Sequence, residues 1–157
     1  MNSSASDAVF IRPGTRQDIP RAWELICELA LFERARDQVE TTPEILERDG
    51  FGATPLFGLL VAELDGEVVG MALTYFRYST WKGKRLYLED LVVTESARGR
   101  GVGRALIEAT IQLARETNCT GLMWQVLDCN KSAIEFYKRF DVRIEGEWMN
   151  VHFDLER

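Results

Sequence analysis

The chain has 157 residues, 46% hydrophobic and 28% charged, which is the size and composition of one globular domain. Its net charge of −6 disfavours a nucleic-acid partner, which would select a basic face. Its three cysteines form no CxxC pair and it has one histidine, so the sequence predicts neither a metal site nor a disulfide framework. No apolar run reaches the length of a membrane span, and we expect a cytoplasmic protein with reduced thiols.

The first part of the chain predicts one strand and two helices. We expect residues 1–7, short and serine-rich, to be disordered, and residues 8–157 to form the domain. Residues 9–11 are β-prone and are closed by a Pro-Gly pair. Apolar residues spaced three and four apart predict an amphipathic helix from a Thr15 cap to about Glu33. A second short helix is expected from the Thr41-Thr42-Pro43-Glu44 cap to Gly50 or Gly52.

The middle of the chain predicts a meander of strands. Residues 57–63 and 68–78 flank Asp65-Gly66, a strong hairpin signal. Residues 84–93 form a third strand. Beyond it we expect a helix, a buried strand, a short helix and two short strands, at 103–117, 121–127, 132–139 and within 143–155. The order βααβββαβαββ predicts an α/β domain with a mixed central sheet flanked by helices.

A glycine- and arginine-rich turn between a strand and a helix is the clearest functional signal. The segment Arg98-Gly-Arg-Gly-Val-Gly103 lacks Cβ atoms at its glycines, so backbone N–H groups at the helix start can approach a phosphate. It does not fit the P-loop pattern GxxxxGK[ST] or the dinucleotide pattern GxGxxG. It does fit the RxxGxG pyrophosphate loop of acetyl-CoA enzymes. A plain glycine-rich turn is the structural alternative.

This loop and several other segments carry a family resemblance that covers nearly the whole chain. Its more specific parts are Asp49-Gly-Phe-Gly52 and Tyr87-Leu-Glu-Asp90, and Phe136-Tyr-Lys-Arg139 also matches. On these residues the chain resembles the GNAT superfamily of N-acetyltransferases, and within it the spermidine/spermine branch, which includes thialysine acetyltransferases. The resemblance implies a homodimeric enzyme that uses acetyl-CoA as co-substrate, needs no metal and acts on a small amine, without a nucleic-acid or membrane partner.

The resemblance also implies roles for individual residues. Tyr137 would protonate the departing thiolate. The residues expected to contact acetyl-CoA are Leu91, Val92, Val93, Arg98, Gly99, Arg100, Gly101, Val102, Gly103, Arg104, Asn130, Lys131, Ser132, Ala133 and Tyr137. Those expected to face the amine are Phe32, Glu33, Trp81, Glu89, Asp90, Met123, Trp124, Gln125 and Trp148.

The chemistry asks for a carboxylate independently of the family. An alkyl amine with a pKa of about 10.4 is only about 0.1% neutral near pH 7.5, and only the neutral form attacks a thioester. Glu89, on a strand that leads into the glycine loop, is the candidate base that orients the amine and accepts its proton. Neighbouring residues of a regular strand point to opposite faces, so we expect only one of Glu89 and Asp90 to reach the nitrogen.

Several structural alternatives stand beside these roles. Glu89 and Asp90 could be an edge pair turned to solvent, and Tyr137 a core residue of its helix. Glu33 could be a solvated helix end, and the tryptophans could be core or turn residues.

The substrate and the activity also leave alternatives. Tyr78-Ser79-Thr80 and Cys129 depart from the polyamine enzymes, so a diamine, a polyamine and a lysine-like amino acid all stay open as substrates. The rival functions are an acetyl-CoA-binding regulatory module without catalysis and a protein or peptide N-acetyltransferase.

Overall fold

The computed structural model describes residues 8–156, and the segment predicted to be disordered, residues 1–7, lies outside them. The chain divides into two compact units, one that ends at Trp124 and one that begins at Gln125. Within residues 8–156, no helix is both long enough and apolar enough to span a membrane.

The first unit is a five-stranded sheet with helices against it, in the strand order β1-β2-β3-β4-β5. Its strands are β1 (Phe10–Pro13), β2 (Gly58–Leu64), β3 (Glu67–Ser79), β4 (Gly83–Val93) and β5 (Leu122–Trp124). Its helices are α1 (Ile19–Phe32), α2 (Pro43–Phe51) and α3 (Val102–Glu116). Neighbouring strands are antiparallel except for β4 and β5, which are parallel. This confirms the predicted α/β domain with a mixed sheet.

Local sequence signals set the ends of these elements as predicted. The side chain of Thr42 accepts the N–H of Ile45 and so caps α2. Asp65 and Gly66 both adopt positive φ, 51° and 79°, which is the conformation of the tightest hairpin turns. Before α1, the carboxylate of Asp18 accepts the N–H of Thr15, which closes the entry to the helix.

Each face of the sheet packs against a different helix. On one face Ala22 and Leu25 of α1 cluster with Val61, Met71 and Val92 of the strands, all of them buried. On the other face α3 lies close to β3, because a Cβ at Gly70 would meet side chains of this helix at 3.2 Å. The two faces are called the α1 face and the α3 face below.

The second unit contains α4 (Lys131–Tyr137) and an extended tail. Within residues 125–156 the structure has no strand, so the two strands expected in 143–155 are wrong, and β5 ends three residues before the predicted end at Leu127. The alternating apolar residues of this tail carry β-propensity, but a strand also needs a neighbour to pair with. Trp148, Val151 and Phe153 are instead exposed.

Candidate active site

A β-bulge in β4 is the main irregularity of the sheet near the predicted site. On β3, Leu73 pairs with Asp90 and its neighbour Thr74 pairs with Leu88, so Glu89 is the extra residue on β4. A bulge bends its strand and changes the direction of the side chains around it. The residue predicted to be the base therefore stands where the strand departs from regular geometry.

The bulge brings Glu89 and Asp90 to the same face. The hydroxyl of Tyr75 donates to Oε2 of Glu89 at 3.1 Å, and Tyr75 shares its face with Leu73, which packs against α1. Asp90 is paired with Leu73 and lies two residues from Val92, another member of that cluster. Both acids thus lie on the α1 face. The expectation that they point to opposite faces is wrong, because the extra residue cancels one step of the alternation.

Among residues 8–156, the second half of β4 pairs with a strand on one side only. The parallel pairing with β5 runs from Leu86 to Leu88, whereas the pairing with β3 continues to Val93. Beyond Leu88, β4 therefore presents an open backbone edge on the side of β5.

The bulge also decides which backbone groups face this edge. The N–H of Leu86 donates to a β5-side carbonyl, that of Gly121, whereas the N–H of Thr94 donates to Val69 on β3. Residues eight apart in a regular strand would face the same neighbour, so the direction is inverted between them. The N–H groups of Leu91 and Val93 consequently point away from β3, into the open edge.

Three acids interact electrostatically at this place. Burial, together with the smaller effect of the negative charges of Glu89 and Glu33, raises the pKa of Asp90 from 3.8 to about 6. Partial burial also raises the pKa of Glu33, which directly follows α1. The structure therefore brings together the three acids that the sequence predicts to face the amine. A cation bound there would relieve their mutual repulsion.

The burial of the Asp90 carboxylate and its repulsion by the other two acids predict that Asp90→Asn stabilises the protein. A carboxyl whose pKa is raised in the folded state destabilises that state at pH values above about 6, and the effect disappears below 3.8, where both states are protonated. We expect the variant to raise the free energy of unfolding by about 1–3 kcal/mol at pH 7.5. Urea unfolding at pH 7.5 and near pH 4 measures this. A variant less stable than the parent at pH 7.5 would contradict the electrostatic account.

Two tyrosines complete the acidic site, and sequence reasoning missed both. The rings of Tyr75 and Tyr87 lie 5.1 Å apart. Burial and the charge of Glu89 raise the pKa of Tyr75 to about 12, so its phenol stays a hydrogen-bond donor at neutral pH. The signal was available in part, since Tyr87 lies two residues before Glu89. The pairing with Tyr75 needs the strand register, which the sequence does not state.

The glycine loop is open at the positions that matter for a phosphate. Gly99 and Gly101 adopt φ of 76° and 82°, and a Cβ at either position would meet nothing within 4 Å. Gly101 is the N-cap of α3 and has no side chain to accept the first N–H groups of the helix. Those donors and the positive end of the helix dipole fit a pyrophosphate. The loop therefore fits the acetyl-CoA phosphates predicted for it.

Two arginines of the loop interact with the protein itself. The guanidinium of Arg98 lies 5.4 Å from the ring centroid of Phe32 and donates to the carbonyl of Val93 at 3.3 Å. Arg104 forms an ion pair with Glu108 at 2.9 Å. The side chain of Arg98 thus connects the loop to the end of α1.

A carboxylate on α1 holds the start of this loop, and sequence reasoning assigned it no role in the site. Glu28 accepts hydrogen bonds from the hydroxyl of Thr94, at 2.9 and 3.1 Å, and from the N–H of Glu95 at 2.9 Å. Because Thr94 directly follows β4, Glu28 fixes the point where the strand passes into the turn before the loop.

The other predicted residues of the first unit occupy its sheet edge and hairpin. Met123 lies on β5 opposite Tyr87, and its sulfur accepts a hydrogen bond from the guanidinium of Arg77. Trp124 is the last residue of β5 and is half-buried. Trp81, in the β3–β4 turn, is 85% exposed.

The predicted residues of the second unit have contacts of their own. The amide oxygen of Asn130 caps α4 by accepting the N–H of Ala133, and it also accepts from Ser132. Gln125 donates to Asn150 at 3.1 Å. Tyr137 ends α4 with its ring 5.5 Å from that of Phe136, and Trp148 is exposed. Residues 8–156 contain no group of three or more His, Cys, Asp or Glu placed to hold a metal ion.

Comparison with known proteins places these features in a family. Residues 21–141 match the model of the acetyltransferase (GNAT) family. A thialysine N-epsilon-acetyltransferase of Bos taurus is 44% identical over 138 residues, which cover 83% of this chain and 81% of that protein. The spermidine/spermine N(1)-acetyltransferase-like protein 1 of Homo sapiens is 36% identical over 99% of this chain, although the match covers 24% of the human protein.

Solved structures show the same fold at lower identity. An aminoglycoside acetyltransferase from an uncultured soil metagenomic sample superposes with a TM-score of 0.78 and 21% identity, over 98% of this chain and 100% of the other. A transcriptional regulator from Bacillus halodurans gives the same TM-score at 23% identity. At this level of identity the likeness concerns the fold alone.

Proposed function

The chain belongs to the acetyltransferase (GNAT) family and is an N-acetyltransferase of small amines, and from that premise we propose that it acetylates a primary alkyl amine of a diamine, a polyamine or a lysine-like amino acid. The observation that carries the proposal is Glu89, bulged from β4 onto a face with two more acids and beside an open backbone edge. The relatives named for thialysine and for spermidine/spermine support an amine of this kind.

The glycine loop would hold the cofactor. Backbone N–H groups from Gly99 to Arg104 would bind the pyrophosphate at the N-terminus of α3, and the β4 edge from Leu91 to Val93 would hold the pantetheine. Residues 130–133 would add contacts. When bound, acetyl-CoA supplies an activated acetyl thioester, and the chain's own residues position the amine against it.

Glu89 would then act on the amine. An alkyl ammonium at pH 7.5 is almost wholly protonated, and its lone pair becomes available only when a base takes the proton. The carboxylate of Glu89, held by the Tyr75 hydroxyl at 3.1 Å, would orient the nitrogen and accept that proton, directly or through a water. Asp90 and Glu33 would attract the cation to the site.

Backbone N–H groups would stabilise the oxyanion, and the phenol of Tyr137 would protonate the departing thiolate. As the carbon–nitrogen bond forms, the carbonyl oxygen gains negative charge, and the N–H groups of Leu91 and Val93 are candidates to stabilise it. The carbon–sulfur bond then breaks, and Tyr137 would give its proton to the departing thiolate. The ammonium loses two protons in all. The first would go to Glu89 before the attack and from there to water, and the second, released by the nitrogen of the tetrahedral intermediate, would replace the proton that Tyr137 gives to the thiolate.

Tyr137→Phe tests the role of Tyr137 as the general acid that protonates the thiolate. We expect kcat to fall by roughly 10²-fold, the low end of general acid catalysis, because water can also protonate a thiolate. The dissociation constant of acetyl-CoA should change far less, since the hydroxyl acts late in the reaction. Steady-state kinetics and calorimetric titration measure the two quantities. Turnover within a few-fold of the parent would return Tyr137 to a structural role.

A thiol-release assay with a panel of amines tests the proposed function. The panel contains 1,5-diaminopentane, spermidine, lysine, a peptide with a free N-terminus and an acidic amine. We expect rapid acetyl-CoA-dependent release with the first three. Release with the peptide alone would identify a peptide acetyltransferase. Tight acetyl-CoA binding without release for any amine would identify a binding module and overturn the proposal.

The family resemblance further supports a homodimer in the cytoplasm as part of this proposal. Light scattering of the purified protein and fractionation of the source cells test the two points. A monomer at working concentration would contradict the first point, and recovery outside the cytoplasm the second.

A further inference from the structure

Arg77 places a cation on the same face as the three acids. It lies two residues from Tyr75 along β3, and side chains two apart on a strand share a face. Its guanidinium carbon lies 5.8 Å from the ring centroid of Tyr87, the partner of Tyr75 across the strands. The α1 face thus presents Arg77, then the two tyrosine rings, then Glu89.

The guanidinium of Arg77 has hydrogen-bonding capacity to spare. Its Nη1 donates to the sulfur of Met123 at 2.8 Å, and a thioether is a weak acceptor. Among residues 8–156 no carboxylate forms an ion pair with it. A guanidinium fork offers several N–H donors that match a carboxylate bidentately. An exposed arginine in this state is suited to bind an anion from solution.

The charges of Arg77 and Glu89 act on the same phenols. Burial raises the pKa of Tyr75 and of Tyr87, the charge of Glu89 adds to that increase, and the charge of Arg77 opposes it. A ligand lying over the two rings would therefore meet negative charge at one end and positive charge at the other. A diamine carries positive charge at both ends, and Arg77 would repel the second one. A zwitterion would satisfy both ends.

The spacing fits an amino acid with a long side chain. On β3, Leu73 pairs with Asp90 and so marks the level of the acids. Arg77 lies four residues, or about 13 Å, further along the same strand. Arg77 leans over the Tyr87 ring and so shortens the gap between the charged groups. The six bonds between the terminal nitrogen and the carboxylate carbon of lysine extend about 7–8 Å.

We propose that Arg77 binds the carboxylate of an amino-acid substrate while the terminal side-chain amine of that substrate meets Glu89, so that the enzyme selects lysine-like amino acids over diamines of the same length. This proposal rests on the proposed function. It adds a specificity residue and leaves the acetyl transfer as described above. The tyrosine pair serves as the platform for the aliphatic part of the side chain.

The test compares three amines that differ in their anionic end: lysine, 6-aminohexanoate and 1,5-diaminopentane. For the parent we expect both carboxylate-bearing amines to have at least a tenfold higher kcat/KM than the diamine. Arg77→Gln should raise KM for lysine and 6-aminohexanoate by about 10–100-fold, the loss of charge-assisted hydrogen bonds. The same variant should raise kcat/KM for the diamine, because a repelling charge is gone. Arg77→Lys should restore part of the preference.

A matched control is Arg115→Gln, which removes the same charge from an exposed position on α3, on the other face of the sheet. It should leave the substrate preference unchanged. Equal losses for all three amines in Arg77→Gln, or a parent that does not distinguish them, would overturn the role of Arg77 while the acetyl transfer stands. Absence of thiol release with every amine in the parent would instead overturn the proposed function.

Discussion

Gly101→Glu is expected to weaken acetyl-CoA binding at least about 100-fold. The substitution places a negative charge at the N-cap of α3, where the loop is open and the phosphates are expected. Like charges brought together in this way cost several kcal/mol. Isothermal titration of the folded variant with acetyl-CoA measures the effect.

The chain offers a matched control for backbone strain in this experiment. Gly66 has nearly the same φ as Gly101, 79° against 82°, and a Cβ there also meets nothing within 4 Å. Gly66→Glu therefore adds the same strain and the same charge, but at the β2–β3 turn. It should lower the melting temperature about as much as Gly101→Glu and leave acetyl-CoA affinity unchanged. Equal affinities in the two variants would show that the phosphates lie elsewhere.

Glu89→Gln is expected to lower kcat/KM by roughly 10²–10⁴-fold at neutral pH, the range of general acid–base catalysis. The amide keeps the size of the side chain and can still accept from Tyr75, but it cannot take a proton. The deficit should be greatest at low pH, where the amine is almost wholly protonated. It should shrink as the pH approaches about 10.4, where the amine loses its proton to solvent.

The measurement is kcat/KM against pH for the parent and for Glu89→Gln. Glu67→Gln serves as the control, since it removes a carboxylate from the exposed start of β3, and its profile should follow that of the parent. Tyr75→Phe should give an intermediate loss, because it frees the carboxylate without removing it. Parallel profiles for the parent and Glu89→Gln would exclude Glu89 as the proton acceptor.

Most of the fold could be predicted from local sequence patterns, because these patterns depend only on residues that are close together in the chain. Apolar residues three and four positions apart in α1 predict its buried face. The pair Asp65-Gly66 by itself predicts the hairpin between β2 and β3. The glycine loop is equally local, since the residues that open it are adjacent in the chain. Each of these elements lies where the sequence predicts it.

What the sequence could not predict depends on partners far along the chain. The bulge at Glu89 appears only when β4 is set against β3, and it alone brings Asp90 to the same face. The place of Arg77 beside Tyr87 follows from the same register. The tail from 143 to 155 shows the opposite error, because its strand-like pattern has no paired neighbour in the structure.

The most direct test of the account follows the acetyl group itself. Lysine and acetyl-CoA labelled with carbon-13 at the acetyl carbonyl are incubated with the enzyme, and the product is examined by nuclear magnetic resonance. Transfer to an amine that meets Glu89 predicts one labelled amide, on the side-chain nitrogen, formed in equal amount with free thiol. Label on the α-nitrogen, or bound acetyl-CoA that yields no amide, would contradict it.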